Sequence, residues 1–282
     1  MDRLQDMALA GLAPAIWGAS YLVATEFLPG AHPIMVAFLR ALPAGLVLLV
    51  LTRTLPPRAL WGRVAVLGTV NFALFWSLLF VAAYRLPGGV AAVLGALQPL
   101  IVLAMARAWL GSVVRLAAVF AALVGLVGVA LLILTPEARL DPLGIAAGVG
   151  GAVSMSAGTV LTRKWAMGTP ALTFTAWQLT AGGLILLPVV VLLRAPLPPA
   201  NWNSGIGLAF LGLIGAALTY GLWVRGIAQL GPNTVAPLGF LSPLTAVLLG
   251  WIVLEQALSP IQGLGVALVL GSVWTAGRVT RP

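Results

Sequence analysis

The sequence predicts an all-α polytopic membrane protein whose ten transmembrane helices form two inverted five-helix repeats, with both termini cytoplasmic. Three observations carry this. The 282 residues are 61% hydrophobic and 7% charged, with a mean hydropathy of +1.10, whereas soluble domains hold about 25% charged residues. The apolar sequence falls into stretches of membrane-spanning length, divided by short breaks rich in proline and glycine. One phrase also occurs once in each half, as Leu94-Gly-Ala-Leu-Gln-Pro-Leu100 and Leu238-Gly-Phe-Leu-Ser-Pro-Leu244.

A bilayer-spanning helix needs about 20 mainly apolar residues. Reading from break to break gives helices over 7–26, 33–52, 63–84, 89–109, 113–133, 143–162, 170–193, 204–224, 232–253 and 259–279. The first follows Met1-Asp-Arg-Leu-Gln-Asp6, which lacks the basic flank of a signal peptide, so it reads as a retained helix. Pro29-Gly30, Pro56-Pro57, Pro87 with two glycines, Pro136, Pro142, Pro196 to Pro199, Gly231-Pro232 and Pro260 punctuate the connections. With a cytoplasmic amino terminus, Arg3, Arg53, Arg58, Arg63, Arg107, Arg115, Arg163, Lys164, Arg225, Arg278 and Arg281 fall at inner ends. Only Arg85, Arg139 and Arg194 fall at outer ends, an asymmetry the positive-inside rule turns into an orientation.

The halves align in order. Ser20 to Glu26 faces Gly158 to Lys164, Pro33 faces Pro170, Gly45 to Leu49 faces Gly183 to Leu187, and Leu86 to Ala91 faces Gly231 to Ala236. The units are residues 1–138 and 139–282, forming one integral-membrane body. Each unit has an odd number of spans, so the second enters from the opposite side. Such inverted repeats place a substrate near the midplane, between units, at interrupted helices.

The net charge of +9 does not indicate nucleic acid, because the basic residues are scattered singly and form no basic face. With no cysteine, disulfides and thiolate metal sites are excluded. No cofactor or metal set is expected, no phosphate-binding loop is present, and no acid pair or Ser/Lys or Ser/His pair supports an intramembrane enzyme.

Pro99 and Pro243 fall in mid-span, where each deprives the carbonyl of residue i−4, Gly95 and Gly239, of its donor. Such a carbonyl either belongs to a kink repaired by a neighbouring hydroxyl or lines a polar cavity. Gln98 and Ser242, just before the prolines, are then candidate substrate contacts. Arg40 is the one basic residue deep in a span. It either meets a substrate carboxylate, ties helices together through carbonyls and the amide of Gln178, its approximate repeat partner, or snorkels to the interface. Asn71 and Phe75 share one helix face, Tyr220 stands opposite Phe75 in the repeat, and Trp223, Trp17, Tyr21 and Trp177 are further aromatic candidates. In membranes such rings serve packing and interface belts as well as binding. No carboxylate lies at mid-membrane and the lone His32 sits in a loop, so a proton relay is hard to build.

Pro14-Ala-Ile-Trp17-Gly-Ala-Ser20, Arg40, Gln98-Pro99 and Ser242-Pro243, set in ten short helices, resemble the drug/metabolite transporter superfamily, and within it the EamA-like family. The chain is similar to YddG-type exporters of aromatic and other amino acids. The resemblance implies a bacterial-type plasma (inner) membrane transporter. It would export small amphipathic metabolites, aromatic and other neutral amino acids first, by facilitative alternating access around a central cavity. Alternatives are an antiporter of sugar phosphates or drugs and a non-transporting scaffold or sensor; the expected partners are a small-molecule substrate and the lipid bilayer.

Overall fold

The computed structural model describes residues 3–86, 88–133, 141–166, 168–253 and 259–279, and omits the side chains of Tyr21, Thr25, Gly88, Gly89 and Gly250. The described residues form helices and turns without a strand. In lipid this follows from elementary accounting, since no water is available for unpaired backbone groups and a helix satisfies its own. Among the described residues, ten spans are long and apolar enough to cross a membrane. They are α1 (Arg3–Phe27), α2 (Pro33–Thr52), α3 (Arg58–Arg85), α4 (Val90–Leu110), α5 (Leu116–Ile133), α6 (Pro142–Trp165), α7 (Ala171–Leu192), α8 (Trp202–Leu230), α9 (Pro232–Val253) and α10 (Pro260–Val279).

Local chemistry fixes several ends. Asp141 accepts a hydrogen bond from the Gly144 amide at 2.6 Å, with Pro142 in the first turn of α6. Asn201 does the same for the Ser204 amide at the start of α8, at 2.8 Å. Helix α4 stops at Gly111, whose φ of 64° is the left-handed conformation that glycine adopts freely.

Helix α2 packs along α7, and α5 along α10. Helix α3 packs on α6, and α1 on α8; α4 also lies on α6, and α9 on α1. Asp6 and Arg225 join α1 to α8 at 2.7 Å, while Arg85 and Asp141 join α3 to α6 at 3.4 Å. Because lipid tails are as apolar as leucine, helices associate in a bilayer through close van der Waals fit, which small residues permit. The largest buried cluster is accordingly rich in alanine, including Ala10, Ala37, Ala41, Ala44 and Ala216.

Helices α3 and α7 touch backbone to backbone. A Cβ on Gly68 would lie 2.7 Å from the Gly182 nitrogen and 2.9 Å from the Gln178 carbonyl oxygen, and one on Gly182 would lie 2.8 Å from the Gly68 carbonyl oxygen. Gly68→Ala is therefore expected to destabilise the fold by about 1–3 kcal/mol through overpacking. Gly62→Ala, on the same span with nothing within 4 Å of its added Cβ, should leave it unchanged. Thermal unfolding of the purified variants in detergent distinguishes the two.

Candidate functional site

Five helices contain a proline beyond their first turn, and the consequences differ. Helices α1, α2 and α7 run on through Pro14, Pro43 and Pro188. Helices α4 and α9 are interrupted in the repeated phrase. In α4 one helix ends at Gly95, Ala96 and Leu97 form a turn, and a second helix begins at Gln98 with Pro99 in its first turn. In α9 the short helix Pro232–Val235 passes into a tighter 3-10 stretch, Ala236–Phe240, before Leu241–Val253 resumes. Pro99 and Pro243 are buried, while a Cβ built on Gly95 or Gly239 would meet nothing within 4 Å. Both glycines thus face open space at the break.

The interrupted segments are held from the side. Ser156 of α6 donates to the carbonyl of Gln98 at 3.4 Å. Gly18 of α1 approaches the carbonyl of Ser242 so closely that a Cβ there would lie 2.4 Å from its oxygen.

Two further irregularities lie in α3 and α8. Residues Thr69–Ala73 and Phe210–Leu218 are π-helical. Passing from i→i+4 to i→i+5 bonding frees carbonyls at the transition, and such bulges are frequent at functional sites. Each finds a buried polar partner. Ser154 donates to the Val70 carbonyl at 2.7 Å, and Arg40 Nη2 donates to the Gly215 carbonyl at 2.7 Å. Within the first bulge, Asn71 Nδ2 donates to Gln178 Oε1 at 2.7 Å and to Thr162 Oγ1 at 3.2 Å. Arg40 is 3% exposed and Gln178 is fully buried. Neither reaches the interface.

Arg40 also stacks over Trp76, 4.5 Å from the ring centroid, a favourable placement for a desolvated guanidinium. Trp76 belongs to a continuous ring cluster. Trp17 lies 4.8 Å from Tyr220 and 5.1 Å from Trp223, Phe72 lies 4.6 Å from Tyr220 and 5.1 Å from Trp76, and Trp76 meets Tyr220 edge-on at 5.7 Å. Trp17 Nε1 donates to Thr219 Oγ1 at 2.8 Å. Among the described residues, Trp223 Nε1 and Gln178 Nε2 are buried donors with no hydrogen-bond partner, a state that costs free energy unless some other group meets them.

The candidate residues read from the sequence thus fall into groups. Gly95, Gln98, Pro99, Gly239, Ser242 and Pro243 sit at the two interruptions. Trp17, Tyr220 and Trp223 share the ring cluster, against which Phe75 packs from a half-buried position. Arg40, Asn71 and Gln178 serve the bulges. The Gln178 amide oxygen is taken by Asn71, while Arg40 ties to a backbone carbonyl on α8. Trp177 stands apart, donating from Nε1 to the Thr54 carbonyl at 2.7 Å and packing with Phe174 near the end of α2. The side chain of Tyr21 lies outside the described residues. Phe72, central to the cluster, and both π bulges are absent from the sequence-derived set, while Trp76 is legible there only as one of the aromatic residues of its span. The i,i+4 spacing of Phe72 and Trp76 was available as a signal, but Asn71 and Phe75, one position earlier on the neighbouring face, show it equally.

Two clefts open on the surface, and none of these candidates lines them. One of about 610 Å³ runs between Leu103, Arg115, Arg163 and Asn233, and one of about 420 Å³ between Arg3, Met7, Trp274 and Arg278. No three His, Cys, Asp or Glu side chains come together among the described residues.

The sequence profile described as the EamA-like transporter family matches residues 6–134 and residues 142–277. Protein PecM of Dickeya dadantii (strain 3937) is 44% identical over 276 residues, 96% of this chain and 91% of that protein. The inner membrane transporter YedA of Escherichia coli (strain K12) is 25% identical over 264 residues, 92% of this chain and 86% of that one. A protein of solved crystal structure, 22% identical, superposes with a TM-score of 0.82 over 98% of this chain and 99% of that one, a likeness that carries the fold. With nearly its whole length matched by that profile, this multi-pass membrane protein belongs to the EamA-like transporter family.

Proposed function

We propose that the protein exports small amphipathic metabolites, aromatic and other neutral amino acids first, by facilitative alternating access between two inverted repeats, residues 1–138 and 139–282. The observation that carries this reading is the matched interruption of α4 and α9, each just upstream of a proline and each with a glycine facing open space. Backbone carbonyls at such a break suit an ammonium group, and such breaks mark substrate sites in transporters built from repeats. The rings of Trp17, Phe72, Trp76, Tyr220 and Trp223 give an aromatic side chain faces and edges to stack against.

Packing supports the repeat. Exchanging α1–α5 with α6–α10 turns the α3–α6 contact into α8–α1 and the α4–α6 contact into α9–α1, and maps α2–α7 and α5–α10 onto themselves. The register that sets Ser20 against Gly158 also sets Gly18 against Ser156, and these are the residues that touch the carbonyls of Ser242 and Gln98. Arg40 and Gln178, likewise matched, each contact the π bulge of the other unit's sequence partner, α8 and α3. The distribution of Lys and Arg supports cytoplasmic termini, and the relatives named as inner membrane transporters support that membrane. Those relatives are transporters, which favours carriage over catalysis.

Arg40 acts here as a tie between α2 and α8, its charge met by a carbonyl and an aromatic face. A lone arginine in that role leaves too little positive charge near the midplane to hold a phosphate ester.

Liposomes holding the purified protein and loaded with unlabelled substrate are expected to accumulate labelled tryptophan or phenylalanine by counterflow, and to show no such exchange with a sugar phosphate. Absence of exchange with every amino acid tried would overturn the reading, and strong dependence on an imposed pH gradient would remove its facilitative part.

Pro99→Ala and Pro243→Ala each restore an amide donor in reach of Gly95 or Gly239. Both variants should fold with an unfolding temperature at or above that of the parent, and exchange should fall roughly tenfold or more, which corresponds to about 1.4 kcal/mol in the rate-limiting step. Unchanged exchange in both would take the interruptions out of the mechanism.

A further inference from the structure

We infer that the cleft of about 610 Å³ beside Arg115 and Arg163 is an anion-selecting vestibule of the transport path, sealed from the broken helices by an apolar gate of Val102, Ala106, Val160 and Ala236. The inference deepens the transport reading and rests on it. The cleft draws its walls from both halves of the chain, with Leu103, Leu110, Ser112 and Arg115 on one side and Arg163, Asn233 and Thr234 on the other.

The order along three helices makes it a vestibule rather than a surface dent. On α6, Arg163 lines the cleft, Val160 is in the gate, and Ser156 holds the Gln98 carbonyl. These are seven residues end to end, so they follow one helix face. On α4, Leu110 lines the cleft, Ala106 and Val102 are in the gate with Leu103 reaching the cleft from between them, and Pro99 is at the break. On α9, Thr234 lines the cleft, Ala236 is in the gate, and Gly239 faces open space. The path from cleft to gate to the level of the interruptions takes about two turns on α6, roughly 10 Å, and about three on α4, roughly 16 Å. The gate side chains are small, and Val102, Ala106, Val160 and Ala236 are at most 5% exposed. A modest separation of α9 from α4 and α6 therefore joins the cleft to the midplane.

The chemistry of the walls selects the cargo. Arg163 donates from Nη1 to the Ala228 carbonyl, and Arg115 from Nη1 to the Val279 carbonyl, near the ends of α8 and α10. Each bond engages one of a guanidinium's five donors and fixes the group in place. Two held guanidiniums at a cleft mouth concentrate anions, and a carboxylate matches the planar fork. Asn233 Oδ1, buried and without a hydrogen-bond partner among the described residues, adds an acceptor for an ammonium group. The class recognised is therefore a small solute bearing a carboxylate, a zwitterion included.

The chain has no cysteine, so single cysteines report on the cleft without background. Ser112→Cys marks its rim and Ala236→Cys its gate. In detergent, the rim cysteine should react with an anionic thiosulfonate at least about tenfold faster than with a cationic one of similar size, and Arg163→Gln should cut that preference severalfold. The gate cysteine should react about tenfold or more slowly than the rim, and millimolar phenylalanine should slow the rim reaction. Equal rates for the two reagents would overturn the anion selection, and a gate as reactive as the rim would overturn the seal. Protection by inorganic phosphate or by phosphatidylglycerol, with none from phenylalanine, would reassign the cleft to a phosphate or a lipid headgroup and also overturn the proposal. Because labelling does not require turnover, a protein that exchanges amino acids without charge preference at the rim loses the vestibule alone. One that shows the preference without exchange loses the transport reading instead.

Discussion

Hydrocarbon offers backbone no partner, and that constraint shapes everything notable in this molecule. A span that stays α-helical satisfies itself; one that departs from the α-helix must find a donor or acceptor elsewhere or face water or cargo. Departures in the spans fall at the two interruptions in α4 and α9, at the two π bulges in α3 and α8, and at the short 3-10 turn that opens α3. At the bulges, Arg40 and Ser154 supply partners to backbone carbonyls, while Asn71 and Gln178 satisfy one another beside the first bulge, which explains why polar groups are buried this deeply in so apolar a chain. At the interruptions, proline cannot donate to the carbonyl four residues earlier, and in α9 the Gly239 carbonyl takes the amide of Leu241 instead.

The same accounting explains why α1, α2 and α7 keep Pro14, Pro43 and Pro188 without breaking. Proline removes one bond, a loss that a continuing helix can absorb by bending. In α4 and α9 the proline follows a glycine by four residues, so a residue with high backbone freedom coincides with the missing bond. The neighbouring helices then fix the local geometry, α6 through Ser156 and α1 through the bare backbone of Gly18. A hydroxyl in one half and a missing side chain in the other solve one packing problem in two ways.

The ring cluster carries a different lesson. Trp17, Phe72, Trp76, Tyr220 and Trp223 come from three helices and pack within 6 Å of one another, with an arginine on top. Such contacts stabilise the bundle while keeping aromatic faces at its centre. Two unpartnered donors, on Trp223 and Gln178, lie in or beside that region.

The sequence alone determined the class of solvent, the number of the spans and the position of the interruptions, while the span bounds moved by up to six residues, α8 running on to Leu230 where the sequence ended it at 224. These follow from composition, span length and the chemistry of proline and glycine, all of which act locally. The likeness of the repeated phrases, Leu94 to Leu100 and Leu238 to Leu244, was also legible, because both keep the same order of residue types. Tertiary structure alone decided what the polar and aromatic residues touch. Arg40 could meet cargo, a carbonyl or the interface, and only the arrival of Gly215 from α8 and Trp76 from α3 selects among them. Trp177 and Trp17 look alike in sequence, yet one ties the end of α2 and the other joins the central rings. The π bulges left no local mark, since they arise from how α3 and α8 fit against their neighbours. Partners distant in sequence are set by packing, and packing is a property of the assembled bundle.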